Sequence, residues 1–283
     1  MNNLDQLDEK YRLGNYVRRL PFMLNRKYGK FIKHQDWSYS SLGTYRSGCK
    51  RLFKFSFVDR LKAPEADPYP FIKGKFLHYL LEKMVNSKFL NKDTKPYHPS
   101  KASSKVTIDD ILLWSEIINR LGRTEKFNNL LDQLSKADYV CVEYTISREG
   151  FIGFIDLCFV YKGLLVLIDW KSGTSKVGHF NQLSTYGYGI LEDLLKKGIE
   201  INNIRMEYYY LEDPTNNEIK EMPIEEFLDT FIERLEVIKS AIDNCEVEDQ
   251  WLPNRDKCYN CRYKGPCDEI DGSMDDLLDG LLN

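Results

Sequence analysis

The sequence predicts an α/β domain with a mixed central β-sheet and helices on its faces. Four segments rich in β-branched and aromatic residues, 139–147, 151–161, 164–170 and 205–211, have the composition of strands. Amphipathic segments with helical spacing precede the first strand, separate the third from the fourth and follow the fourth. This order of elements is typical of a mixed sheet covered by helices.

The second and third strands form a predicted β-hairpin, because the turn signal Lys162-Gly163 separates them. The helices are predicted from apolar side chains three or four residues apart. They lie at 38–53, 75–90, 107–121, 124–136, 178–197 and 223–243. The proline-rich segment 63–70 and the polar segment 91–105 are predicted loops.

The composition is that of a globular protein, with 283 residues, 42% hydrophobic and 29% charged. No apolar run approaches the roughly 20 residues that a membrane helix needs. The N-terminal MNNLDQLDEKYRLGNY is too polar for a signal peptide. We therefore expect a cytoplasmic protein without a membrane partner, in which cysteines stay reduced and serve as metal ligands or core residues.

The net charge of −3 is unevenly distributed along the chain. Residues 268–283 carry six acids and no base, whereas residues 1–60 carry 13 Lys/Arg against 5 Asp/Glu. The basic segment is suited to phosphate contacts, and an ordinary solvated surface explains it equally well. Global charge therefore does not decide the function.

Two acidic residues interrupt strands that are otherwise apolar. Asp156 lies within the second strand and Asp169 ends the third, with Lys171 two residues later. A carboxylate in an apolar strand loses hydration that it regains by pairing, hydrogen bonding or binding a metal ion. The hairpin makes the two strands neighbours, and carboxylates that hold a divalent metal are suited to phosphodiester hydrolysis. An aspartate near a turn, paired with a lysine, is the simpler alternative.

Four short motifs accompany these residues, in the order Gly74-KFL-His78-YLLE, Gly153-Phe154-Ile155-Asp156, Asp169-Trp170-Lys171-Ser172-Gly173 and Gln182-LST-Tyr186. Together, over about residues 74–190, they resemble the RecB-like branch of the PD-(D/E)xK nucleases. Each motif is weak alone, but the ordered set is specific. The resemblance implies a restriction-endonuclease-like core.

The resemblance also implies roles for individual residues. His78, Asp156 and Asp169 would bind Mn²⁺ or Mg²⁺, with the carbonyl of Trp170 as a further ligand. Lys171 would be the catalytic lysine, Gln182 and Tyr186 would contact the metal-bound water or the DNA backbone, and Glu143 would be an accessory acid. Without the resemblance, His78 reads as a core histidine and Gln182 and Tyr186 as ordinary helix residues. Because an imidazole ligand suits a softer ion than magnesium, we expect Mn²⁺ to support activity at least as well as Mg²⁺.

The C-terminal part contains three closely spaced cysteines, Cys258, Cys261 and Cys267, in DKCYNCRYKGPC. Zinc sites and iron–sulfur clusters normally have four ligands, and Cys49 is the best candidate for the fourth. Zinc is the commoner ion in such loops. The arrangement is similar to that of AddB-type and CRISPR-associated RecB-like nucleases. That likeness implies a [4Fe–4S] cluster that joins the N- and C-terminal segments, with Zn²⁺ as the alternative.

These features divide the chain into four predicted segments. They are an N-terminal helical segment (1–70), a nuclease core (71–245), a cysteine segment (246–270) and an acidic tail (271–283). The tail is typical of a disordered, solvating segment. Its leucines at helical spacing leave open a short helix that binds a protein partner, and its acids leave open mimicry of DNA.

The resemblance implies a metal-dependent DNA nuclease, most simply a single-strand exonuclease in DNA recombination, repair or processing. Two alternatives remain at this stage. One is a non-catalytic, nucleic-acid-binding subunit of a recombination or CRISPR-adaptation complex. The other is a zinc-ribbon-like structural module fused to an unrelated α/β domain.

Overall fold

The structure is a computed structural model of the chain. It describes residues 38–46, 48–58, 61, 68–148, 151–174, 176–230, 253–259, 261–265 and 267–268. The chain divides into two compact units. The first, here called the sheet unit, contains residues 68–148 and 153–230. The second, here called the cysteine unit, contains the described residues of 38–61, 151–152 and 253–268.

The described helices are α1 (Tyr39–Arg46), α2 (Lys50–Phe53), α3 (Tyr69–Val85), α4 (Pro99–Ala102), α5 (Ile108–Leu121), α6 (Glu125–Ser135), α7 (Asn181–Lys196) and α8 (residues 224–230). Single π-helical turns, Lys54–Val58 and Asn86–Leu90, follow α2 and α3. Short 3₁₀ turns lie at Pro214–Asn216 and Arg255–Lys257.

Three helices differ from the sequence-based prediction. α3 begins at Tyr69, inside the predicted loop 63–70, because Pro70 suits the first turn of a helix. The predicted helix 38–53 is two helices, because Cys49 has an extended backbone (φ −118°, ψ 119°) and caps α2. The short helix α4 lies inside the predicted loop 91–105.

Five strands form one mixed sheet in chain order: β1 (Tyr139–Arg148), β2 (Phe151–Tyr161), β3 (Leu164–Lys171), β4 (Asn203–Tyr210) and β5 (Glu218–Pro223). β3 runs antiparallel to β2 and parallel to β4, and β5 runs antiparallel to β4. The parallel pair is connected through α7, as a crossover requires. The predicted mixed sheet flanked by helices is therefore confirmed.

The predicted hairpin is also present, with Leu157 opposite Ile168 and Tyr161 opposite Leu164. Lys162 and Gly163 both have positive φ, 52° and 74°. Two left-handed residues in a row define the tight turn whose twist matches that of the strands. The hairpin thus places the strand that carries Asp156 beside the strand that carries Asp169.

The sequence does not predict β5. Its six residues, EIKEMP, include three charged side chains, and only Met222 is buried. A strand at the edge of a sheet is exposed along its free side, and charged residues there discourage pairing with other chains. The weak hydrophobic signal of β5 follows from this edge position.

Helices cover both faces of the sheet. One face packs against α3, α5 and α6 in a core that includes Leu77, Trp114, Phe127, Phe159 and Ile168. The other face packs against α7 so closely that a Cβ at Gly187 would lie 2.7 Å from a methyl group of Leu167. Burying each large apolar side chain contributes about 1.5–3 kcal/mol, so these two layers hold the sheet rigid beneath the candidate site.

The cysteine unit has a much smaller core in its described part. Phe55, Tyr263 and Cys267 are buried together, and the rings of Phe55 and Tyr263 lie 5.6 Å apart. The hydroxyl of Tyr263 donates a hydrogen bond to the carbonyl of Leu61 at 2.9 Å. Segments far apart in sequence therefore meet in this unit.

Several predicted features lie outside the described residues. These are the basic residues within 1–36, the helix beyond residue 230 and the acidic tail 271–283. In the part of the chain that the structure describes, no helix has the length and apolarity needed to cross a membrane.

Candidate metal and nuclease site

Asp156 joins the two strands of the hairpin at their open end. Its Oδ2 accepts a hydrogen bond from the backbone N–H of Trp170 at 2.7 Å. Because Trp170 belongs to β3, this bond fixes the carboxylate of β2 relative to the neighbouring strand. The second oxygen, Oδ1, faces the imidazole of His78.

His78 approaches from α3, with both ring nitrogens facing oxygen atoms. Nδ1 lies 3.2 Å from Asp156 Oδ1, and Nε2 lies 3.0 Å from the carbonyl oxygen of Trp170. Burial alone lowers the pKa of His78, but the hydrogen bond and charge of Asp156, with the charges of Asp169 and Glu143, outweigh burial and raise it. Whichever nitrogen binds an ion, the other can donate its N–H to an oxygen, as metal-bound histidines usually do.

Glu143 completes this group from β1. Ligand atoms of His78, Glu143 and Asp156 all lie within 4.8 Å of one another. Glu143 has a φ of 48°, a left-handed conformation that is unusual for a residue with a side chain and is a feature of β-bulges. The strand is therefore irregular at Glu143, the residue whose carboxylate lies beside Asp156. Strain of this kind concentrates at functional sites.

The proximity of the acids changes their ionisation. Desolvation raises the pKa of Glu143 to about 7, and the negative charge of Asp156 adds to the rise. Burial raises the pKa of Asp169 to about 6, the charge of Asp156 again adds to it, and Lys171 opposes it. The two acids thus lie close enough to Asp156 for charge repulsion, which a cation would relieve.

Asp169 and Lys171 form an ion pair at the end of β3. Lys171 Nζ lies 2.6 Å from Asp169 Oδ2 and 4.9 Å from the centre of the Tyr208 ring. Tyr208 is opposite Asp169 in the parallel strand β4, and its ring stacks on Phe180 at 5.3 Å. The ammonium group is therefore held between a carboxylate and an aromatic face.

Two glycines of the motifs allow close approach at the site. A Cβ at Gly153 would lie 2.5 Å from the ring of Tyr186, which is itself buried. A Cβ at Gly74 would lie 3.1 Å from the hydroxyl oxygen of Ser172. Gly153 therefore lets α7 contact β2, and Gly74 lets α3 contact the segment after β3.

Gln182 and Tyr186 lie one turn apart on α7. The amide of Gln182 donates to the hydroxyl of Tyr186 at 3.5 Å, a long hydrogen bond. With its ring against Gly153, Tyr186 packs beneath the strand that carries Asp156. The contact therefore joins the two segments that carry the Gly153 and Tyr186 motifs.

The segment after Lys171 is held by residues that the sequence does not identify. Glu218 of β5 accepts hydrogen bonds from the backbone N–H groups of Val177 and Gly178 at 2.8 and 2.9 Å. It also accepts one from the hydroxyl of Tyr210 at 2.7 Å. Burial opposes ionisation of Glu218, but these hydrogen bonds outweigh it and lower its pKa. No sequence signal indicates this role, because β5 itself is not predicted.

The donor set fits a divalent cation. Two carboxylates and an imidazole supply oxygen and nitrogen ligands, which Mg²⁺ and Mn²⁺ bind with water completing the shell. Desolvation, together with the charge of Asp156, raises the pKa of Glu143, and a bound cation would oppose both effects. The group therefore forms a candidate metal site.

The cysteine unit contains a second candidate centre. Cys49, Cys258, Cys261 and Cys267 all line one small cavity of about 20 Å³. The sulfur of Cys49 accepts from the backbone N–H groups of Leu52 and Asn254, at 3.5 and 3.3 Å. The guanidinium of Arg51 lies 3.4 Å from the sulfur of Cys267. The sulfurs of Cys49 and Cys267 thus face N–H donors.

A mixed sheet that carries converging acids and a lysine at a strand end is typical of a metal-dependent hydrolase. The family model of the PD-(D/E)XK nuclease superfamily matches residues 36–268, and the chain belongs to this superfamily. A comparison with curated proteins gave no match. Among solved structures, the chain is similar to an Eubacterium rectale protein provisionally named an exonuclease, with 12% identity and a TM-score of 0.42, covering 85% of this chain and 92% of that one.

The structure brings together some of the predicted site residues and separates others. His78 and Asp156 are in contact, Asp169 is paired with Lys171, and Tyr186 lies under β2. Among the described residues, the group of three or more donors within 4.8 Å contains Glu143 and not Asp169. Glu143, which belongs to none of the four motifs, is therefore part of the three-donor group.

Proposed function

We propose that this chain is a metal-dependent nuclease that hydrolyses phosphodiester bonds of DNA. The observation that carries the proposal is the convergence of His78, Glu143 and Asp156 beside the Asp169–Lys171 pair. Membership of the PD-(D/E)XK superfamily supports it, since members of that superfamily are nucleases. Asp156, Asp169 and Lys171 are all present, which argues against a purely structural copy of the fold.

The residues have distinct roles in this proposal. His78, Asp156 and Asp169, with Glu143 and the Trp170 carbonyl, would hold Mn²⁺ or Mg²⁺. The bound ion supplies an activated water and neutralises charge on the phosphate. Lys171, held at the rim by Asp169, stabilises negative charge on the phosphoryl oxygens. Tyr186 packs against β2, and Gln182 and Tyr186 would contact the metal-bound water or the DNA backbone.

We further propose the RecB-like branch and single-strand exonuclease activity, in DNA recombination, repair or processing in the cytoplasm. The ordered motifs over residues 74–190 support the branch. The alternative is an accessory nucleic-acid-binding subunit of a recombination or CRISPR-adaptation complex, which would bind DNA without cutting it. The acidic tail, which lies outside the described residues, is proposed to bind a protein partner.

The four cysteines are proposed to hold a [4Fe–4S] cluster that joins segments 1–70 and 246–270, which flank the nuclease core 71–245 in sequence. Their shared cavity supports binding of one group by all four. The similarity of their arrangement to that of AddB-type and CRISPR-associated RecB-like nucleases favours the iron–sulfur cluster, with Zn²⁺ as the alternative.

The test of nuclease function compares two ion pairs of equal length. Lys171→Ala and Asp169→Asn remove the site pair, whereas Lys136→Ala and Asp132→Asn remove an exposed pair that also has an Nζ–Oδ2 distance of 2.6 Å. With Mn²⁺ or Mg²⁺ and end-labelled DNA, we expect the site variants to cut about 10²–10³-fold more slowly. The control variants should match wild type.

Different substrates separate the finer proposals. An exonuclease releases nucleotides from a labelled linear single strand and leaves a circular single strand intact. Cutting of the circle would show endonuclease activity. Cleavage that survives both site variants would refute the assigned site, and DNA binding without cleavage by wild type would favour the accessory role.

A further inference from the structure

An open groove of about 620 Å³ lies beside the candidate metal site in the sheet unit. His78 and Glu143 belong both to the three-donor group and to the wall of this groove. The rest of the wall is largely aromatic and basic, and includes Phe71, Lys75, Tyr79, Lys95, Tyr97 and Phe154. If DNA is cut at this site, the nucleotides next to the bond being cut would lie in this groove or along it.

Two of the aromatic rings are unusually exposed. Phe71 is 65% exposed and Phe154 is 51% exposed. A single exposed apolar side chain is ordinary, but two large rings in one groove form a patch of the kind that marks a binding site. Lys75 Nζ lies 4.6 Å from the centre of the Phe71 ring, so a cation borders the aromatic surface.

The groove follows one face of α3. Phe71, Lys75 and His78 are spaced by four and three residues, which places them in a row on the helix. The seven residue steps from Phe71 to His78 rise about 10 Å. A stacked B-DNA strand rises about 3.4 Å per nucleotide and an unstacked strand is more extended, so this length spans at most about three nucleotides.

We propose that this groove binds unstacked nucleobases of the DNA strand, with Phe71 and Phe154 as stacking surfaces. Lys75 and Lys95 contact the phosphates, and the backbone keeps away from the carboxylate of Glu82, which lines the same groove. The inference rests on the proposed nuclease function and specifies how its substrate is recognised. In a duplex the faces of internal bases are covered by their neighbours, so the groove selects single strands or frayed ends.

The test measures binding to strands with and without bases. In a Lys171→Ala background, which prevents cutting, fluorescence anisotropy follows a labelled oligothymidylate and a strand of equal length made of abasic residues. We expect Phe71→Ala and Phe154→Ala each to weaken binding of the base-bearing strand about tenfold, because aromatic stacking is lost. Binding of the abasic strand should stay within about twofold. Phe71→Trp should restore the preference for bases.

Two further variants serve as controls. Leu112→Ala removes a side chain of α5 that is 61% exposed and lies outside the groove, and should change neither affinity. Lys75→Gln should weaken binding of the base-bearing and the abasic strand equally. It should also reduce the salt dependence of the binding affinity by the amount expected for about one phosphate contact. Thermal melts of each variant verify folding.

The outcomes separate this inference from the proposed function. If Phe71→Ala and Phe154→Ala weaken binding of the base-bearing and abasic strands equally, or change binding of neither strand, the groove does not bind bases. The chain can still be a nuclease in that case. Loss of base preference in these variants supports the groove even if wild type cuts no DNA. Equal cutting of duplex and single strands by wild type and by both variants would overturn the inference while leaving the nuclease function intact.

Discussion

The two candidate metal centres of this chain differ in what positions their ligands. In the sheet unit, His78 lies on a 17-residue helix, and Glu143 and Asp156 lie on strands of 10 and 11 residues. In the cysteine unit, Cys49 caps a four-residue helix and Cys258 follows a three-residue 3₁₀ turn. The described core beneath α3, α5 and α6 contains 19 buried residues, whereas the one around Phe55 contains three.

This difference suggests that the fold positions the metal ligands in the sheet unit, whereas metal binding stabilises the fold in the cysteine unit. The large apolar core on one face of the sheet positions the elements that carry the acids, so packing contributes to the geometry of this site. The small core of the cysteine unit contributes much less, so ligation of the four cysteines would itself supply folding free energy. Variants can therefore test whether loss of a metal ligand affects mainly activity in the sheet unit and mainly stability in the cysteine unit.

The largest effect is expected for Cys267→Ser. Loss of one of the four proposed ligands should remove the proposed cluster, and the cysteine unit should lose several kcal/mol of stability, the order found for structural metal sites. Visible absorption, iron content and limited proteolysis of anaerobically purified protein measure this. Cys141→Ser, a change in a half-buried cysteine of the sheet unit, is the control. If Cys267→Ser keeps its full iron content and its proteolysis is unchanged, ligation by Cys267 does not stabilise the cysteine unit, and the proposed difference between the two units is wrong.

Asp156→Asn should lower the rate of the proposed DNA cleavage about 10²–10³-fold, because several kcal/mol of charge stabilisation depend on the ion that Asp156 is proposed to bind. The asparagine carbonyl can still accept the hydrogen bond from Trp170 N–H, so the melting temperature of the metal-free protein should change little. Cleavage rates and thermal melts are measured together, with Asp132→Asn as the exposed control. A large fall in melting temperature would mean that Asp156 is mainly structural.

Gly153→Ala should destabilise the sheet unit by about 1–3 kcal/mol, because the added Cβ overlaps the buried ring of Tyr186. Gly173→Ala is a matched control, since a Cβ there has no described atom within 4 Å other than its chain neighbours. Urea unfolding measures both variants. Equal stability of the two would show that the contact between α7 and β2 is not tight.

The smallest effect concerns pH. With a folded pKa of about 7 against an ordinary value of 4.5, Glu143 favours the folded state below pH 4.5 and loses that contribution as the pH rises through 7. Mn²⁺ competes with the proton, so its stabilising effect should be larger at pH 8 than at pH 6. Thermal melts with and without Mn²⁺ test this. Glu143→Gln should flatten the pH dependence, whereas Glu225→Gln, an exposed change on α8, should not. An unchanged profile in Glu143→Gln would exclude Glu143 as a ligand.

Much of the fold is predictable because its signals are local. The turn at Lys162-Gly163 and the apolar runs on either side define the hairpin, and the confirmed mixed sheet follows from the order of strands and helices. Asp156 and Asp169 stand out because an acid within an apolar strand needs a partner. The edge strand β5 gives no such signal, because its side chains are mostly exposed.

The sequence by itself determined most of the elements, their order and the residues able to bind a metal ion, since periodicity, turn chemistry and ligand type are encoded in short segments. Tertiary structure alone decided which of these residues meet. Glu143, whose backbone is left-handed, has its carboxylate beside Asp156. Glu218 accepts a hydrogen bond from the N–H of Val177 and lies on a strand that the sequence does not predict. Cys49 shares a cavity with Cys258 across some 200 residues of chain. Such contacts depend on packing between distant segments, which no local pattern encodes.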